Sequence, residues 1–108
     1  RQMCIRDSDR SGDMTLGILA TIDAKSGEEA RVEAELTKIV APSRDDEGCL
    51  LYTLTRDSER PSRFIMVEQW RDRAALDAHI ATEHYKQMAQ TLENAIEQME
   101  VREYDVLT

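Results

Sequence analysis

No stretch of this sequence approaches the roughly 20 consecutive apolar residues that cross a bilayer, and its N-terminus carries no signal-peptide core. A soluble, cytoplasmic protein is expected. Cysteine is nearly missing: Cys4 and Cys49 are the only two, they flank an apparent domain boundary, and no CxxC or Cys/His pair sits at zinc-finger spacing. That argues against a disulfide framework and a structural zinc site, and for a reducing compartment. Positive charge is outnumbered, with 14 Lys and Arg against 22 Asp and Glu and a net charge of −8. Such a surface repels phosphate backbones and anionic headgroups, so neither nucleic acid nor membrane is an expected partner. The densest basic group, Arg56, Arg60 and Arg63, is interleaved with acids and reads as a solvated hairpin tip. Aromatic residues are scarce too, with one Trp and one Phe in 108 residues. A core this small belongs to one compact domain, and a domain of this size gains from burying surface against a second copy of itself.

What is present is a clear run of elements. Residues 1–13, RQMCIRDSDRSGD, mix charges without an apolar period and are expected to be a non-native or disordered leader before a domain over 14–108. LGILATI, from Leu16 to Ile22, has the composition of a mostly buried strand. Ser26 and Glu29 have the spacing of a capping box, and Val32, Leu36, Ile39 and Val40 then share a helical face up to Pro42. After Gly48, CLLYTLT predicts a strand with Leu50, Tyr52 and Leu54 on one face and Cys49, Leu51 and Thr53 on the other. A polar turn containing Pro61 joins it to Phe64–Trp70, making a hairpin whose second strand places Phe64, Met66, Glu68 and Trp70 on one face. Asp72 and Thr82 each suit an N-cap, the first for a short helix with Ala75, Leu76, His79 and Ile80. The second helix is read with a stripe of Tyr85, Met88, Ala89, Leu92 and Ile96, before a final strand from Met99 to Leu107 whose charges mark an edge.

The resulting order, β-α-β-β-α-β, is the α+β, ferredoxin-like split βαβ arrangement. Two short helices can cover only one face of a four-stranded sheet, and both faces of the third strand are apolar. A twin subunit packing sheet on sheet, a dimeric α+β barrel, is therefore expected.

The string from Glu47 to Met88 carries E-G-C-x-x-Y, then V-E-Q-W, then L-x-A-H-x-x-T-x-H. It resembles the antibiotic biosynthesis monooxygenase family, in detail its quinol-monooxygenase-like members, and the order of elements from Met14 onward agrees. The resemblance implies a monooxygenase that oxidises a quinol-like or phenolic aromatic with molecular oxygen and needs no cofactor. Such chemistry requires a deprotonated substrate and a dry pocket with one or two polar groups.

Trp70 is singled out because similar family members place a tryptophan at this strand end beside the substrate, although a lone tryptophan between hydrophobic neighbours also reads simply as core. His79, one turn after Ala75, points to the apolar side and could relay a substrate proton, and His84 opens the next helix, where a neutral imidazole is favoured. Tyr52 could donate to a quinol oxygen. Glu68 could act as a base with a raised pKa, or bond backbone or a partner chain. Phe64, Met66, Glu68 and Leu76 are the expected substrate contacts. His79, Glu83 and His84 invite a metal reading, but their spacing is one residue longer than H-x-x-E-H and a helix break falls between the histidines, so no metal is expected. Cys49 reads as a small core residue.

Where haem-degrading and polyketide-oxidising relatives carry asparagine, this chain has apolar residues around Ile18 and Met66, and Ile80 falls where the haem-binding histidine would be. Haem degradation is not expected. Two alternatives stay open: an isomerase of a phosphorylated quorum-sensing furanone, which would need Arg63, Arg73 or Lys86 in the pocket, and a non-catalytic dimeric binding or stress protein.

Overall fold

The structure, a computed structural model, describes residues 15–108. The expected leader, Met14 and Cys4 lie outside the described residues. The elements are β1 (Leu16–Ala24), α1 (Glu29–Arg44), β2 (Cys49–Arg56), β3 (Arg63–Trp70), α2 (Arg73–Ile80), α3 (Glu83–Thr91) and β4 (Ile96–Asp105). The strands form one antiparallel sheet in the order β2-β3-β1-β4, with α2 and α3 together in the place of the second helix. This is the ferredoxin-like α+β fold read from the sequence.

One face of the sheet makes the core. Ile18, Ala20 and Ile22 of β1 alternate inward beside Phe64, Met66, Glu68 and Trp70 of β3, which are buried at every second position. Against them α1 lays Val32, Leu36 and Ile39, residues at helical spacing that are all buried. Tyr52 pairs in register with Glu68, so the two share this face, as their strand positions suggested.

Four local expectations are corrected. Helix α1 does not begin at a Ser26 capping box: Gly27 takes φ +89°, Glu28 is the N-cap without a side-chain bond, and Glu29 Oε1 accepts from Gly27 N at 3.0 Å. It also continues past Pro42 to Arg44, with Pro42 forgoing one backbone donor inside the last turn. A register shift between Cys49 and Leu51 pairs Cys49 with Trp70, which turns the thiol to the helix side instead of the outer face. Ile96 is not on the last helix, which ends at Thr91; it opens β4 opposite Ala24, and β4 ends at Asp105.

The outer face is less apolar than β3 alone suggested. Thr53, Val67, Leu19 and Arg102 form one cross-strand row and Thr55, Ile65, Thr21 and Glu100 the next, so a half-buried patch of Leu19, Ile65 and Val67 lies between polar flanks. At the hairpin the arginines are paired: Arg63 Nε donates to Asp23 Oδ1 at 2.8 Å, Arg60 lies 4.0 Å from the same carboxylate, and Arg56 binds Glu33.

Candidate functional site

Between the inner face of the sheet and the pair α2–α3 lies a chamber of about 140 Å³. Its walls are mostly apolar, with Ile18, Ala20 and Met66 from the sheet and Leu76 and Met88 from the helices. Tyr52, Glu68, His79 and Tyr85 supply the polar atoms. At the β4 side it is bounded by Ile80, Met99 and Val101, all three exposed.

The caps that the sequence marked set this geometry. Asp72 accepts from Ala75 N at 2.9 Å and starts α2, which buries Ala75, Leu76 and His79 on one face. Thr82 Oγ1 accepts from Tyr85 N at 3.2 Å, and its hydroxyl donates to His79 O at 2.7 Å, so one side chain joins the end of α2 to the start of α3. That join brings the two histidines together despite the helix break, with ring centroids 6.0 Å apart.

His79 is the centre of an aromatic cluster. Its ring lies 4.6 Å from that of Trp70, 5.5 Å from Tyr52 and 5.2 Å from Tyr85. Only 1 % of its side chain is exposed, and burial pushes its pKa below the usual histidine range, against a hydrogen bond to Asp46 that raises it. Nδ1 lies 2.8 Å from Asp46 Oδ2, and since a carboxylate accepts, Nδ1 carries the hydrogen. Nε2 is buried and has no hydrogen-bond partner among the described residues. It is the ring nitrogen not committed to Asp46.

Glu68 is the other ionisable group. Burial pushes its pKa up to about 7, although Trp70 Nε1 donates to its Oε1 at 2.9 Å and works in the opposite direction. Its charge, with burial as the larger cause, raises the pKa values of Tyr52 and Tyr85, which remain phenols at neutral pH. The Cys49 thiol is also pushed up, chiefly by burial.

Of the residues singled out in the sequence, Tyr52, Met66, Glu68, Leu76 and His79 line the chamber together. Trp70, Phe64 and His84 do not. Trp70 is wholly buried behind His79 with its N–H committed to Glu68. Phe64 lies at the hairpin end of β3 under the Arg56 guanidinium, 5.1 Å from its carbon. His84 faces a separate open groove between α1 and α3, together with Lys38 and Gln87. Arg63, Arg73 and Lys86 do not line the chamber; Arg63 pairs with Asp23 and Arg73 with Glu103, so nothing there would hold a phosphate and the isomerase alternative loses its anchor.

Asp46 is the residue that sequence reasoning missed. It sits in the turn between α1 and β2, and its Oδ2 lies within hydrogen-bond distance of both His79 Nδ1 and His84 Nε2, the latter at 2.9 Å. Among the described residues no helix is long and apolar enough to cross a membrane.

Comparisons with known proteins agree with the fold and the sequence pattern. The family described as "Antibiotic biosynthesis monooxygenase" matches residues 15–91. The probable quinol monooxygenase YgiN of Escherichia coli is 30% identical over 97 residues, covering 81% of this chain and 93% of that protein. The Synechocystis protein sll1783 is 27% identical over 81 residues; the match takes in 75% of this chain but only 55% of that longer protein. The crystal structure of PA3566 from Pseudomonas aeruginosa superimposes with a TM-score of 0.86 at 37% identity, covering 90% of this chain and 98% of that one. On the profile match and these relatives together, the chain belongs to the antibiotic biosynthesis monooxygenase family.

Proposed function

We propose that the chain is a cofactor-independent monooxygenase that oxidises a single-ring phenol or hydroquinone with molecular oxygen, acting as a cytoplasmic homodimer. The observation that carries this reading is the unpartnered Nε2 of His79 sharing an apolar chamber with the Glu68 carboxyl. A chamber of about 140 Å³ is close to the roughly 150 Å³ cavity that holds one benzene ring, so it suits one aromatic ring better than a fused system. The name of the Escherichia coli relative, a probable quinol monooxygenase, points to the same substrate class.

In this mechanism His79 Nε2 accepts the phenolic proton, and Asp46, holding Nδ1–H, fixes the tautomer and stabilises the imidazolium that forms. The phenolate gives an electron to oxygen, and the apolar walls keep water from the intermediates. No external reductant is needed, because a phenol and one dioxygen balance as a quinone and one water, and a hydroquinone and one dioxygen as a hydroxyquinone and one water. Glu68, half-protonated near neutrality, hydrogen-bonds a substrate oxygen and is held in place by Trp70. Tyr52 and Tyr85, neutral phenols, donate without competing for oxidation as phenolates do.

The test is oxygen uptake with a panel of hydroquinones and phenols. One or more single-ring substrates should give uptake well above the buffer rate, and His79→Ala should lower it by about 10²-fold or more while the unfolding midpoint stays measurable. Uptake at the buffer rate for every compound would leave the chain a binding protein.

A further inference from the structure

We propose that Asp46, His79 and His84 form a binding site for one divalent first-row transition-metal ion of the zinc or cobalt class, and that filling it disables the proton acceptor of the chamber. The three donors come from three different elements: the turn after α1, the last turn of α2 and the first turn of α3. Asp46 Oδ2 stands 2.8 Å from His79 Nδ1 and 2.9 Å from His84 Nε2, and all three atoms lie within 4.8 Å of one another. An ion bound at about 2.0–2.1 Å holds its donors about 2.8–3.4 Å apart at cis or tetrahedral angles, a range that both Asp46 distances already meet and to which the two histidine nitrogens, no more than 4.8 Å apart, must close.

Two imidazoles and one carboxylate are a borderline donor set that suits zinc, cobalt, nickel and copper more than magnesium or calcium. Three protein ligands leave at least one position for water. The approach is from outside: the His84 side chain is 28 % exposed and Asp46 16 %, and His84 forms a wall of the groove between α1 and α3. The spacing of the two histidines is set in advance by Thr82, which bonds His79 O and Tyr85 N, so little ordering is left for the ion to impose.

The consequence follows from the two nitrogens of one ring. An ion on His79 Nδ1 needs a lone pair there, so the single proton of the neutral imidazole must sit on Nε2. No proton is gained or lost; it moves from one nitrogen to the other through solvent. Nε2 then donates and can no longer accept. The ring is thus a wall between an ion site open to the outside and a chamber on its other edge. The loss of activity rests on the function proposed above, whereas ion binding and the tautomer change do not.

The experiment uses the full chain after dialysis against a chelator. Titration with cobalt(II) should raise a visible absorption that saturates at one ion per chain and is displaced by zinc. His84→Ala, a substitution at a partly exposed position, and Asp46→Ala should each abolish it while keeping a cooperative unfolding transition. Nitrogen-15 spectra of the His79 ring should show hydrogen on Nδ1 without zinc and on Nε2 with it. In the oxygen-uptake assay, saturating zinc should lower the rate at least tenfold in the parent chain and leave the residual rate of His84→Ala unchanged. A spectrum that never saturates, or one that persists in His84→Ala, overturns the site. An unmoved His79 tautomer overturns the coupling, even with the ion bound. If no substrate gives uptake in the parent chain, the oxygenase reading fails, and the cobalt and nitrogen-15 results still decide the site and its coupling.

Discussion

Trp70 donates its indole hydrogen to Glu68, two residues earlier on the same face of β3, at 2.9 Å. The one tryptophan of the chain therefore acts on the chamber through a carboxyl group and does not itself reach it. Removing the donor with Trp70→Phe takes away the interaction that lowers the Glu68 pKa, so that pKa should climb above about 7. A carbon-13 titration of the Glu68 carboxyl reads this directly, and a midpoint that stays in place would break the link. The lost volume should also lower stability by about 1–3 kcal/mol.

Glu68 itself should make stability depend on pH in an unusual direction. Its folded pKa of about 7 lies above the ordinary 4.5, so between those values the folded chain holds a proton that the unfolded chain has released. Its contribution is therefore fully present below about pH 4.5 and lost as pH rises to about 7, a difference on the order of 3 kcal/mol. Glu68→Gln keeps an acceptor for Trp70 and removes the titration. Denaturant unfolding at pH 5 and pH 8 should show the variant gaining on the parent at the higher pH by up to that amount. Equal slopes for both proteins would contradict the buried-carboxyl account.

Gly17 is required by Tyr104. A Cβ at position 17 would stand 2.2 Å from Tyr104 Cε1, and the tyrosine hydroxyl donates to Glu68 O at 3.1 Å across β1. Gly17→Ala must displace the ring and break that bond, for a loss of about 1–3 kcal/mol in chemical denaturation. Because the ring is the obstacle, adding Tyr104→Ala should make the alanine at 17 nearly neutral in a double-mutant cycle. A cost that persists without the ring would place the strain in the backbone.

The half-buried patch of Leu19, Ile65 and Val67 on the face away from the helices is where the twin subunit is expected. Light scattering should give the mass of two chains at micromolar concentration, and Val67→Arg should shift it to one by desolvating a charge in the middle of the contact. A parent chain that scatters as a single copy would leave the outer face uncovered in solution and remove the dimer.

Much of the chamber could be seen in advance because a strand writes its faces at every second residue. Phe64, Met66, Glu68 and Trp70 fall at every second position of β3, all four are buried on one side, and Met66 and Glu68 among them line the chamber. Helix caps were equally legible at Asp72 and Thr82, whose side chains accept from backbone N–H groups three residues on, a local interval that sequence spacing shows. What could not be seen depends on distant parts of the chain. Asp46 stands in a run with Asp45 and Glu47, chemically equivalent in sequence, and only the folded turn brings it rather than its neighbours to the histidines. The bulge beside Leu50 leaves no trace either, since CLLYTLT alternates as well in one register as in the other. Ile96 follows Leu92 by four residues, a helical interval that continues by coincidence across the turn into β4.

Met99 and Val101 are 52 % and 54 % exposed, yet they belong to the chamber lining and to the free edge of the sheet at once. A molecule docking along that edge would be standing in the doorway. Occupancy of the chamber and docking along β4 would then exclude one another, so how readily a small molecule enters would vary with how crowded that edge is.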